Sequence, residues 1–531
     1  MSQGTRQEPT SPKFEERAPL AIQDVQQLGL FASILSLGYV FWVVGGMEMV
    51  ERLAYYGVKA VATLYAKDPV SKGGLGITMT TFGTILTVWA LIQSIVPVLV
   101  GGLADRLGYK KTIALSTVVK IGGYLTMAAF PTFWGFFAGA VLLAFGTGIF
   151  KPGIQGTLVK CTNRRNSSMA WGIFYQTVNI GGFLGPLLAG FMRKMAWSNV
   201  FLACAAIICL NFLLLLCYKE PGLDERLERQ RKDRAGKPEP QGNWFQRMMH
   251  FLHSLVADSA REFCKPHVLA YVLIFSGFWF MFMSLFDILP AYIDDWVNTS
   301  DIVATVFGGG VATNEFVKFF VVMSADGKHI QPEGMLNVNA GLIMTSCFLF
   351  AFLSSRMKAL NSMLLGTLLA SASMFAIGYS VLGWICLGAI AIFSVGEMMA
   401  SPKFNEFIGN FAPADKKAMY LGFSQASLAI GWTLEGQFAP RLYDHFASKD
   451  AFARELLTQK GMAADAVAAI PQGEAFQKLV DFLGQSPEAV TAMLYQSHDV
   501  GMVWLIMGLI GVVSALGILA YSRWIRTLKT L

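Results

Sequence analysis

Twelve apolar runs, each near the ~20 residues a helix needs to cross a hydrocarbon core, leave this chain few ways to fold. They cover roughly 32–64, 79–104, 112–130, 133–157, 168–192 and 199–218, then 267–294, 336–355, 360–380, 382–406, 417–439 and 499–523. Backbone immersed in lipid must satisfy its own hydrogen bonds, so runs of this length are expected to be helices. The chain is 54% hydrophobic and only 15% charged, against roughly 25% charged in ordinary globular proteins. Its 531 residues therefore do not divide into soluble domains. The expectation is an all-α integral membrane protein of about twelve transmembrane helices in two groups of six.

The intervening segments set the organisation. Residues 1–30 are polar, carry Arg6, Lys13 and Arg17, and lack the apolar core and cleavage site of a signal peptide, so they are expected to form a cytoplasmic tail. Residues 31–218 hold the first six spans and 267–531 the second six. The linker 219–266 carries Arg226, Arg229, Arg231, Lys232, Arg234, Lys237 and Arg247, and around His250 and His253 it has the pattern of an amphipathic surface helix. Arg106, Lys110, Lys111, Arg164, Arg165, Lys416, Lys417, Arg523, Arg526 and Lys529 fall on the same side as that linker. By the positive-inside rule this side faces the cytoplasm, with both termini, in a plasma (inner) membrane. Two insertions, 295–335 and 440–498, are expected to be small helical additions on the outer face, either as a plain cover or as a partner-binding surface.

Several function classes are disfavoured. The net charge of +7 follows from the basic residues flanking the spans and gives no reason to expect nucleic acid. The seven cysteines lie in spans or on the linker side, which argues against a disulfide framework. None of the six histidines lies in the body of a span, and His250-x-x-His253 has no obvious third ligand, so no metal is expected. No phosphate-binding glycine loop followed by Lys-Ser or Lys-Thr occurs. Neither an enzyme nor a primary ATP-driven pump is indicated.

What the spans carry is more specific. Glu48-Met-Val-Glu51-Arg52-Leu-Ala-Tyr55-Tyr56 places two carboxylates, a guanidinium and two phenols along one helical stripe of span one. Each charge costs roughly 2.5–3.5 kcal/mol to insert. The stripe must therefore face a wet cavity or a charge network, serving a substrate or proton path or locking two helices together. Lys151 in span four and Glu397 in span ten are likewise costly alone, and one lies in each half. Two arrangements are open: they pair across the centre, or Lys151 caps a span end. Lys120 in span three is expected to snorkel to the surface. Glu435 in span eleven is either interfacial or part of an outer gate.

The turn Gly101-Gly-Leu-Ala-Asp105-Arg106-Leu-Gly108-Tyr-Lys110-Lys111 resembles the signature loop of the major facilitator superfamily. That resemblance implies two six-helix bundles rocking about a central site, with Asp105 and Arg106 serving gating and folding. Within that frame, Glu-x-x-Glu-Arg-x-x-Tyr-Tyr resembles the proton-coupled oligopeptide transporters. Further resemblances run in order through Gly146-Thr-Gly148-Ile-Phe-Lys151-Pro152, Phe174-Tyr175-Gln-Thr-Val-Asn179-Ile-Gly181-Gly182, Pro332 to Asn339, and Gly396-Glu397-Met-Met-Ala-Ser401-Pro402. The chain diverges from the family pattern in several places. Phe278-Trp279 is followed by Met283 and first meets an acid at Asp287, where the family usually carries a glutamate. Gly153 and Leu53 replace the usual Asn and Phe.

The resemblance implies a symporter importing di- and tripeptides with protons, and no other cofactor. A peptide is a zwitterion with a nearly constant backbone. Arg52 and Lys151 are expected to hold its carboxylate, Glu397 its ammonium with Asn339 assisting, Asn179 its amide, and Tyr55 and Tyr56 its side chains. Trp432 either lines the cavity or packs. Glu48, Glu51 and Arg52, with Asp287, are expected to carry the proton. Lys151 with Glu397 is the expected inner gate, and the chain is expected to work as a monomer. Two alternatives stand beside this: a symporter for another small zwitterion or anion, and a non-transporting sensor or assembly platform acting through the outer insertion.

Overall fold

A computed structural model describes residues 30–162, 166–223, 261, 263–308, 313–411 and 417–528. The N-terminal tail and the linker stretch with His250 and His253 lie outside these residues, as do Arg164, Arg165, Lys416 and Lys529. Asp105 and Arg106 sit on described backbone, but their side chains lie outside the described set.

Among the described residues the protein is helical, with two isolated β-bridges. Twelve helices of 21 residues or more dominate. They are α1 (Tyr39–Lys59), α2 (Met79–Leu107), α3 (Tyr109–Ala129), α4 (Phe133–Cys161), α5 (Ser167–Arg193), α6 (Trp197–Cys217), α7 (Pro266–Asp287), α8 (Pro332–Ser355), α9 (Ala359–Tyr379), α10 (Gly383–Phe411), α11 (Lys417–Phe446) and α12 (Met502–Leu528). Eight of them are both long and apolar enough to cross a membrane. Of the others, α1 carries Glu48, Glu51, Arg52 and Lys59, α5 carries Asn179 and α11 carries Glu435, polar groups that face protein and not lipid.

The two halves repeat one packing scheme. Within lipid, helices associate chiefly by close packing, which favours small residues at crossings. In the first half α3 meets α4 where Gly123 and Gly139 face each other; in the second, α9 meets α10 where Gly366 and Gly396 do. A Cβ added at Gly366 would stand 2.5 Å from the Gly396 carbonyl, so no larger residue fits. Helices α1 and α5 pack as α7 and α11 do. This is the pattern of two parallel repeats, each a six-helix bundle.

The bundles meet along α2 with α11 and along α5 with α8. Near the end of the molecule that bears residues 440–498, the α2–α11 crossing is tight, because a Cβ at Gly83 would lie 2.5 Å from the Gly436 carbonyl. Gly83→Val is therefore expected to hold the bundles apart at this end while leaving each bundle folded. Spin labels at Lys72 and Glu488, in a background with the seven native cysteines replaced, would read the change as a longer distance. An unchanged distance would mean the crossing is not needed for closure.

That end is also strapped from outside. Helix Glu315–Phe320 lays Phe319 and Phe320 against Phe191 and Phe183 of α5, so a segment of the second half grips the first. The 440–498 region forms helices Lys449–Gln459, Ala464–Ala468, Ala475–Leu483 and Pro487–Ser497 around Phe452, Leu457, Leu479 and Leu494. Arg454 ties it together, donating to the carbonyls of Val467, Ile470 and Pro471 at 3.0 Å each while pairing with Asp450. A cavity of about 230 Å³ lies beneath it, lined by Lys67, Asp68, Asp294, Asp295, Asp444 and Lys449 among others.

Candidate functional site

Helix α1 puts its polar stripe into the centre of the first bundle. Glu48 and Arg52, four residues apart, pair at 2.8 Å with both side chains nearly buried. Glu51 is fully buried; it pairs with Lys120 of α3 and accepts from Thr147 Oγ1 of α4 at 3.3 Å. Lys120 also stands 3.9 Å from the Phe150 ring centroid. The expectation that Lys120 snorkels to the surface is thus corrected, since its side chain is 0% exposed and neutralises Glu51. Tyr55 donates to Gln93 Oε1 at 3.1 Å, and Trp89 Nε1 donates to the same oxygen at 3.0 Å, fixing α1 against α2.

Lys59, one turn beyond Tyr56 on the same stripe, was not among the candidates. It forms a buried ion pair with Asp287 of α7, across the bundle interface. Trp432 Nε1 donates to Asp287 Oδ2 at 3.1 Å, and Thr63 donates to the Asp287 carbonyl at 2.7 Å. Trp432 therefore helps to orient Asp287. Glu435, one turn along α11 from Trp432, is 0% exposed, so the interfacial reading of this residue is also corrected.

More ion pairs join the bundles at the same end. Lys67 reaches Asp294 and Asp295 at 2.6 Å each, and Arg193 pairs with Glu333. Asp444 accepts from the backbone N–H of Met79 and Thr80, at 3.1 and 2.6 Å, satisfying the free amides at the start of α2. At the opposite end, where the linker joins α6 to α7, no ion pair spans the bundles among the described residues. The molecule is closed at the insertion end and held there by charge.

The expected Lys151–Glu397 pair is not formed. Lys151 is half-buried on α4, with Arg52, Glu48 and Glu51 as its charged surroundings. Glu397 on α10 instead accepts from Asn339 Nδ2 of α8 at 3.0 Å, and the same amide donates to Ser394 Oγ at 3.0 Å. Asn339 thus divides its side-chain amide donors between Glu397 and Ser394. Tyr56 and Tyr175 lie within electrostatic reach of Glu397 from the other bundle, and Tyr175 is 39% exposed. Asn179, one turn from Tyr175, donates to its carbonyl at 2.9 Å, and among the described residues no group donates to its side-chain oxygen. Tyr56 thus stands near the Arg52–Glu48 pair of its own bundle and near Glu397 of the other, with half-buried Lys151 and Asn179 also on the first bundle.

These features define a multi-pass helical membrane protein built from two six-helix bundles around a polar centre. The family model of the Major Facilitator Superfamily matches residues 53–434, and the chain belongs to that superfamily. Its fold is shared with solved peptide transporters. A peptide transporter in complex with sulfate superposes with a TM-score of 0.62 at 19% identity, covering 93% of this chain and 97% of that one. Another transporter of that group, in complex with 5-aminolevulinic acid, gives 0.60 at 17% identity over 92% of this chain and 99% of that one. Among sequences, the peptide transporter YePEPT of Yersinia enterocolitica is 28% identical over 227 residues, 40% of this chain and 43% of its own length. The uncharacterized transporter YclF of Bacillus subtilis is 28% identical over 208 residues, 38% of this chain and 41% of its own. The chain thus spans less than half the length of these relatives.

Proposed function

We propose that this protein is a proton-coupled symporter that imports small peptides by alternating access. One observation carries the reading. Tyr56 lies near both Arg52 of the first bundle and Glu397 of the second, Tyr175 also reaches toward Glu397, and Lys151 and Asn179 belong to the first bundle. That is the charge layout of a zwitterion with an amide in its middle. The sequence matches to proteins named as peptide transporters support it. Under this reading the linker end and both termini are cytoplasmic, the membrane is the plasma (inner) membrane, and the protein is closed to the outside. Arg52 and Lys151 bind the peptide carboxylate, Glu397 under Asn339 binds the ammonium, and Lys151 approaches Glu397 only when the linker end closes. Asp105 and Arg106 serve that closure. Glu48, Glu51, Arg52 and Asp287 carry the proton, and the chain acts as a monomer.

A second reading, another small zwitterion such as an amino-acid derivative, has one specific support: the neighbour that binds 5-aminolevulinic acid. The two are separated by uptake of a radiolabelled dipeptide into proteoliposomes under an inward proton gradient. Accumulation blocked by excess dipeptide, and not by single amino acids or aminolevulinate, supports the peptide. The reverse competition supports the alternative. Glu48→Gln with Glu51→Gln is expected to abolish uphill accumulation. Accumulation that survives the double variant removes these carboxylates from the proton path.

A further inference from the structure

The closed insertion end holds one charge too many. Lys59 of the first bundle meets Asp287 of the second in a buried contact. Glu435 lies beside both, within electrostatic reach of each, yet neither of its buried oxygens accepts a hydrogen bond from any described residue. With both carboxylates ionised, the cluster would carry a net negative charge sealed from water. The neighbours offer nothing to balance it. From α1, Tyr55 is spent on Gln93; α2 brings Gly83 and Leu86 against Gly436; the charged groups facing Glu435 are Asp287 and Lys59 alone. An unpaired buried carboxylate is costly enough that such a group takes up a proton instead. Two adjacent carboxyls cannot both accept, so a proton on one satisfies both.

We propose that Glu435 holds a proton whenever the insertion end is closed, donating it toward Asp287 under Lys59, so that closure of this end traps the coupling proton. This rests on the proton-coupled reading for its physiological meaning, but the site stands on its own geometry. Asp287 and Glu435 belong to the same bundle and Lys59 to the other. Opening the end withdraws the lysine and admits water, which solvates Glu435 and lets it ionise. The proton comes from the solution on the insertion side, one for each closure.

The sign of the pH effect follows. Glu435 is protonated in the closed state and ionises more readily in the open, hydrated one. Closure is therefore favoured in acid and lost as pH rises through the titration of the closed-state carboxyl. Glu435→Gln is a neutral isostere and should remove this dependence without harming the fold.

Infrared difference spectroscopy on the full chain in detergent reads the proton directly. A deuterium-sensitive protonated-carboxyl band is expected at neutral pH, lost in Glu435→Gln and shifted in Glu435→Asp. In parallel, the Lys72–Glu488 label distance should lengthen with rising pH in the parent and stay short in Glu435→Gln. A band unchanged in Glu435→Gln, or one lost only in Asp287→Asn, overturns the proposal. So does a label distance that responds to pH equally in parent and variant. If dipeptide uptake fails while band and distance behave as expected, the substrate reading falls and the proton site stands.

Discussion

Lys120→Met is expected to destabilise the protein by about 3–5 kcal/mol, the cost of removing one partner from a buried ion pair. Glu51 would keep Thr147 at 3.3 Å as a hydrogen-bond donor, with Arg52 and Lys151 within electrostatic reach but no paired ammonium, in a site with 0% exposure. The carboxylate must then pull in water, distort α3 against α4, or bind a proton. Adding Glu51→Gln removes the stranded charge, so the double variant should regain most of the loss, the interaction energy of a coupled pair. The lysine stem is also packed, since a Cβ at Gly146 would lie 2.5 Å from Lys120 Cγ. Methionine keeps that stem, which isolates the charge as the cause. Thermal unfolding of purified protein in detergent decides the matter. A Lys120→Met protein that melts with the parent would mean that Glu51 is already uncharged and the lysine is not its lock.

How much of this was legible in the sequence depends on whether the signal is local. The twelve spans are, because length and apolarity are properties of a single stretch. The cost of charge in α1 was local too, and it pointed to the centre of the molecule. Partners were not local. The Lys120 reading failed because apolar sequence on both sides of a lysine looks the same whether the side chain snorkels or meets an acid from another helix. Lys59 could have been found: positions 48, 51, 52, 55, 56 and 59 share one stripe, and extending the pattern by a turn would have included it. Its partner Asp287 was visible as a displaced acid, but a separation of 228 positions hides the contact. The Lys151–Glu397 pairing was drawn from the cost of two lone charges, one in each half, and from the family resemblance. The structure separates the two because the molecule is closed at the opposite end, a choice of state that no sequence pattern encodes.

The largest functional effect is expected from exchanging the charges of the insertion-end lock. Lys59→Asp alone would gather three acids where the bundles meet, and Asp287→Lys alone would oppose two lysines. Either removes a buried pair worth roughly 3–5 kcal/mol on breaking, so the closed-to-open ratio should fall by on the order of 10²–10⁴. The Lys72–Glu488 label distance should then report a protein open at this end, and gradient-driven uptake should cease. The exchanged pair, Lys59→Asp with Asp287→Lys, restores opposite charges across the interface and should recover part of the closure. Recovery should be incomplete for a specific reason. The relocated lysine stands in the same bundle as Glu435, which competes for it whether the end is open or closed. Adding Glu435→Gln removes the competitor, and the triple variant should close more fully than the exchanged pair. Trp432 Nε1 would lose its acceptor in every variant that carries Asp287→Lys, so full parental closure is not expected of the exchanged pair or the triple variant. Closure unaltered in both single variants would place the lock in the glycine crossing of α2 and α11 and in the Lys67 and Arg193 pairs instead.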